Sequence, residues 1–75
     1  MEIADFVIHV KAELAVTERD SLAAELADQA GVVSAHFSPG HAHLLNIAYD
    51  PRATSSAALL KQVGKRGGEA FKVGL

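Results

Sequence analysis

Cysteine is absent from these 75 residues. That excludes disulfides, thiolate metal sites and thiol nucleophiles together. Tryptophan is absent too, and one tyrosine with three phenylalanines leaves too few aromatics for a base-stacking strand surface. No apolar run approaches the roughly 18 residues needed to span a bilayer, and Met1-Glu2-Ile3 is not the basic start of a secretory signal. A soluble, cytoplasmic protein is the resulting expectation, with no membrane partner. The formal net charge of -2 lacks the positive excess of a nucleic-acid binder, so no nucleic-acid partner is expected either. What is present is apolar content of 49%, enough for one compact core, and the whole chain from 1 to 75 reads as a single domain.

Alternation organises the first segment. Phe6, Ile8 and Val10 fall on one side of residues 3 to 11 and Val7, His9 and Lys11 on the other, which predicts a strand with one buried face. Thr17 followed by Asp20 predicts a helix beginning at Glu18, with Leu22, Ala23, Leu26, Ala27 and Ala30 on its apolar face and Gly31 closing it. Val32 to Phe37 forms a second strand, Ser38-Pro39-Gly40 a reversal, and His43 to Tyr49 a third strand that ends before Asp50-Pro51. Ser55 is the preferred cap of a second helix that Gly67 terminates, and Glu69 to Leu75 supplies a short closing strand. The order β-α-β-β-α-β predicts an α+β, ferredoxin-like sandwich: a four-stranded antiparallel sheet, strands 1 and 3 central, with two helices on one face. Phe6, Ile8, Val10, Leu22, Leu26, Ala35, Phe37, Leu45, Ile47, Tyr49, Leu59 and Val63 are the expected core.

Gly31-Val32, Ala35, Phe37, Ile47-Ala48-Tyr49-Asp50-Pro51, Ser55, Leu59, Val63 and Gly67 together resemble the heavy-metal-associated domain family of small copper chaperones and metal-pump amino-terminal modules. The resemblance covers about residues 3 to 74. It implies soft-metal binding by two cysteines, CxxC, in the loop before the first helix, after a glycine-methionine pair. Counted back from Gly31, those cysteine positions fall on Ala15 and Glu18 and the glycine-methionine pair on Ala12 and Glu13. Alanine has no donor atom and a carboxylate is a hard ligand, poorly matched to monovalent copper. The basic residue near the family's metal corresponds to Lys65, which here has no metal-thiolate charge to offset. The resemblance therefore carries over the fold and not the thiolate chemistry.

Four histidines remain as donors. The topology brings His9, at the end of the first strand, toward His36, His41 and His43 around the hairpin, with Glu13 in the following linker nearby. Imidazole suits zinc, nickel or divalent copper. His36, His41 and His43 form the candidate metal set. By strand parity His9 and His36 point to the open face, whereas His43 shares the inward phase of Leu45, Ile47 and Tyr49. That open face, with Val7, His9, Ser34, His36, Leu44, Asn46 and Ala48, offers a surface for another protein or a second copy.

Charge is also segregated along the chain, since Arg52, Lys61, Lys65, Arg66 and Lys72 follow a more acidic first half. A solvated helix face accounts for them. Lys65-Arg66-Gly67-Gly68 lacks the pattern of a phosphate loop. Ser34 or Ser38 beside His36 lacks a third group and oxyanion donors, and Asp50, Glu13, Glu18 and Tyr49 have turn, helix-start or core roles. No catalytic residue is expected. A noncatalytic binding or regulatory module acting through protein association is the leading functional reading, with histidine-based divalent-metal binding or transport as its alternative.

Overall fold

A computed structural model describes residues 2–73 of the protein. In chain order it contains β1 (Ala4–Val10), α1 (Val16–Ala27), β2 (Val32–Ser38), β3 (His41–Tyr49), α2 (Ser56–Gly67) and β4 (Ala70–Val73). The strands form one antiparallel sheet in the order β2-β3-β1-β4, so β1 and β3 are central and β2 and β4 are the edges. This is the ferredoxin-like sandwich that the order of elements predicts. β1 and β2 both run antiparallel to β3 and hence parallel to one another, which brings the end of β1 to the same side as the β2–β3 hairpin.

Alternation decides which side of the sheet the helices cover. Ile8 and Val10 of β1 and Leu45 and Ile47 of β3 are buried against Leu22 and Leu26 of α1 and Leu59 and Val63 of α2. Phe6, Ala35, Phe37 and Tyr49 pack around this core partly buried, with the Phe6 and Tyr49 rings edge to face at 5.6 Å. Every member of the expected core is thus in it. Leu14, Val32, Leu60 and Ala70 join its margin.

Helix limits depart from the sequence reading in physically instructive ways. α1 starts at Val16 rather than Glu18, because the carboxylate of Glu18 accepts the free Ala15 N–H at 3.1 Å and caps the helix from inside its first turn. Thr17 is helical and does not cap it. The helix stops at Asp28, still right-handed, and Gly31 takes its positive φ of 88° in the turn that follows, not at the helix end. Ser55 caps α2 as expected, its hydroxyl accepting the Ala58 N–H at 3.1 Å. α2 runs through Gly67, and Gly68 is the residue with positive φ, 78°. The third strand begins at His41, two residues before His43, so the reversal is confined to Pro39 and Gly40. The closing strand spans Ala70–Val73, and the expected extension to Gly74 and Leu75 lies outside the described residues.

Candidate functional site

The face of the sheet away from the helices is uncovered, and cross-strand register defines it. Val7 pairs with Asn46 on one side and Val73 on the other, while His9 pairs with Leu44 and Phe71. His36 continues the first row beyond Asn46, and Ser34 lies opposite Ala48. One row therefore reads Val73, Val7, Asn46, His36 and the next Phe71, His9, Leu44. Phe71 and Val73 are 47% and 43% exposed, large values for such apolar side chains on a sheet. They were not part of the face as read from sequence. Their orientation follows from the pairing of Val10 with Ala70, which turns Ala70 toward the core and Phe71 outward.

Polar groups border this apolar strip. Asn46 donates its side-chain amide to the Ser38 hydroxyl, tying the face of β3 to the end of β2. Asp5, Val7, Ser34, His36, Asn46 and Ala48 surround a shallow depression of about 320 Å³. Lys72 has the opposite parity and reaches past the sheet edge to the Ser56 hydroxyl at 3.3 Å.

The histidines divide into two places. His36 is exposed on β2 in the depression just described. His9, His41 and His43 instead border a separate opening of about 370 Å³ at the hairpin end, together with Gly40, Ala42 and Leu44. His43 does not join the core despite its phase with Leu45. It lies one position beyond the paired part of β1, and its Nδ1 bonds the Val10 carbonyl at 2.7 Å on the rim of the sheet. Its ring stacks on His9 with centroids 5.7 Å apart and planes 12° from parallel. Phe71 flanks the other side of His9 at 4.9 Å and 21°. The Nδ1 of His9 is buried and has no hydrogen-bond partner. Glu13 borders a further depression with Leu14, Arg19, Ala42 and His43. Among the described residues, no group of three histidine, cysteine, aspartate or glutamate side chains is arranged to hold a metal ion, and that holds for the set His36, His41 and His43. His9 is the partner of His43 that parity reasoning had separated from it.

The loop before α1 is built for a different purpose from a thiolate clamp. Ala15 and Glu18 meet in the capping hydrogen bond, and the Arg19 guanidinium donates to the Leu14 carbonyl at 2.7 Å, closing the loop on itself. Lys65 is exposed, and the neighbouring Arg66 is the basic residue that crosses to α1, where it pairs with Glu25 and approaches the Ser21 hydroxyl at 3.4 Å. Nothing in this loop fits a soft metal ion: the two positions contribute a methyl group and a carboxylate already engaged with the backbone.

No family model matches the sequence, and no curated protein matches it. Solved structures do. A copper CopA variant from Bacillus subtilis superposes with a TM-score of 0.78 at 22% identity, covering 99% of this chain and 96% of its own. A copper binding domain from HMA7, a P-type ATPase, gives 0.81 at 17% identity and 93% coverage of both chains. Oxidized MerP from Ralstonia metallidurans gives 0.83 at 12% identity, covering 97% of this chain and all 100% of its own. The chain has the heavy-metal-associated, ferredoxin-like fold of the copper-chaperone type, and it carries that fold without cysteine.

Proposed function

We propose that this chain is a noncatalytic module that works by protein association through the open face of its sheet, with a second copy as the occupant. The observation that carries the reading is the apolar strip Val73, Val7, Phe71 and Leu44, with His9 seated between Phe71 and Leu44 and with Asp5, Ser34, His36 and Asn46 around it. An apolar centre with a polar rim is the anatomy of an association surface. Asp5 and His9 lie on either side of Val7 along β1, so a copy turned about a two-fold axis near Val7 sets the acid of one chain toward the imidazole of the other. Such an isologous pairing closes on itself. The low net charge of -2 opposes it only weakly. Neither nucleic acid nor membrane enters this reading.

The size of the face sets the strength. A four-stranded sheet with strands about 4.8 Å apart and about seven residues long presents roughly 450 Å² in projection. Two copies then bury about 900 Å² in all, at the weak, transient end of specific interfaces. Amide chemical shifts followed through a dilution series test this. Val7, His9, Leu44, Phe71 and Val73 are expected to move together with concentration while the outer surfaces of α1 and α2 stay still. Shifts confined to the helices would reject the face.

A further inference from the structure

We infer that Phe71 of each copy seats in the depression around Ala48 of the other, so that two identical ring-in-pocket contacts hold the pair. The inference rests on the association reading above and names the contact that gives it register.

Cross-strand register places ring and pocket symmetrically about Val7. Phe71 lies one strand away on β4 and, through its pairing with His9, two residues toward the hairpin end of the sheet. Ala48 lies one strand the other way on β3 and, through its pairing with Asp5, two residues toward the opposite end. Val7 is therefore the midpoint of the line that joins them. A two-fold axis lying between the two faces, passing over Val7 at right angles to that line, exchanges the two positions, so Phe71 of one copy stands over Ala48 of the other and the reverse. With strands about 4.8 Å apart and about 3.4 Å of rise per residue, the two sets of strands then cross at roughly 70°. That is nearer the orthogonal than the aligned mode of sheet packing.

Shape and chemistry agree with position. Phe71 is 47% exposed, yet one face of its ring is stacked on His9 at 4.9 Å, so the ring is held in place before any partner arrives. Ala48 carries only a methyl group between Asp5 and Ser34, which leaves the depression of about 320 Å³ above it. This is the low end of the pockets that take small organic ligands, with room for one ring. Val7 supplies an apolar wall, while Asp5, His36 and Asn46 keep the rim polar. Because His9 travels with Phe71, its imidazole arrives beside the Asp5 carboxylate on the rim of the other copy. An interface of about 900 Å² depends on such an anchor, since affinity at that size comes from a few well-seated aromatic side chains and not from area.

The test uses the full chain and two variants: F71A, which removes the ring, and A48F, which fills the pocket. Each alone is expected to weaken association by about tenfold or more in sedimentation equilibrium, the scale of an anchoring aromatic. An equimolar mixture of the two should form heterodimers, because A48F keeps the ring and F71A keeps the pocket. In the parent, mixing isotope-labelled with unlabelled chains should give an intermolecular NOE between the Phe71 ring and the Ala48 methyl, which lie roughly 17 Å apart within one chain. That measurement stands even where A48F fails to fold. A parent that dimerises without this NOE, an A48F variant that dimerises as tightly as the parent, or a mixture no tighter than its components overturns the insertion and leaves association on the face intact. A parent that stays monomeric overturns both.

Discussion

Leu45→Ala is expected to cost about 2–5 kcal/mol of folding stability, the range for emptying a fully enclosed leucine site. Leu45 has no exposed surface and sits in β3 between Phe37 of β2 and Ile8 of β1, beneath both helices. Its cross-strand neighbours Phe37 and Ile8 are held in the sheet ladder, so the surroundings close the gap only in part. A domain of 75 residues has in total roughly 4–11 kcal/mol, so the loss is a large share of what keeps it folded. Urea denaturation checks it, with Val33→Ala as the control. Val33 is 50% exposed at the irregular start of β2, and its truncation should stay within about 0.5 kcal/mol.

Gly31→Ala is expected to be comparably damaging for a different reason. The residue's φ of 88° costs an alanine about 1–2 kcal/mol. A Cβ there would also lie 2.7 Å from the Ala53 Cβ and 3.2 Å from the Thr54 Cγ2, an overlap that adds about 1–3 kcal/mol. The close approach exists because the Gly31 carbonyl accepts the Asp50 N–H at 2.7 Å, stitching the start of β2 to the exit of β3. Gly40 separates the two contributions. It has a similar φ of 76° and nothing within 4 Å of an added Cβ, so Gly40→Ala should show the backbone cost alone. Equal losses at the two positions in denaturant unfolding would contradict the steric account.

The alternation of Phe6, Ile8 and Val10 and of Leu45, Ile47 and Tyr49 made the sheet and its buried side legible, because a period of two has only two phases. The start of α1 was not. Thr17 has the chemistry of a cap, and nothing in the local pattern says that Glu18 will reach back to Ala15 instead. The open face was legible in its central strands but not at β4. Whether Phe71 or Ala70 points outward depends on register against β1, a tertiary fact that four residues of weak alternation do not encode. The His9–His43 stack failed to show for a related reason. Parity separates these rings, and only the end of the β1 ladder frees His43 to turn to the rim and bond Val10.

The distant likenesses in shape sharpen what sets this chain apart. The fold is shared with copper-binding domains at TM-scores of 0.78 and 0.81, yet the loop before α1 is closed by its own carboxylate and guanidinium. The polar groups of that loop are engaged in internal hydrogen bonds. The groups left unpartnered are elsewhere, on the uncovered sheet and around the hairpin.

Sedimentation equilibrium on the parent and on Phe71→Glu probes the role of the uncovered sheet most directly. The parent should move from monomer toward dimer mass as its concentration rises to about 1 mM, the weak association that suits so small a face. Phe71→Glu, which puts a charge into the apolar strip at its β4 edge while leaving the buried core intact, should remain monomeric throughout. A parent that keeps monomer mass up to about 1 mM, or a variant that dimerises equally well, would contradict the assignment of this face as the seat of association.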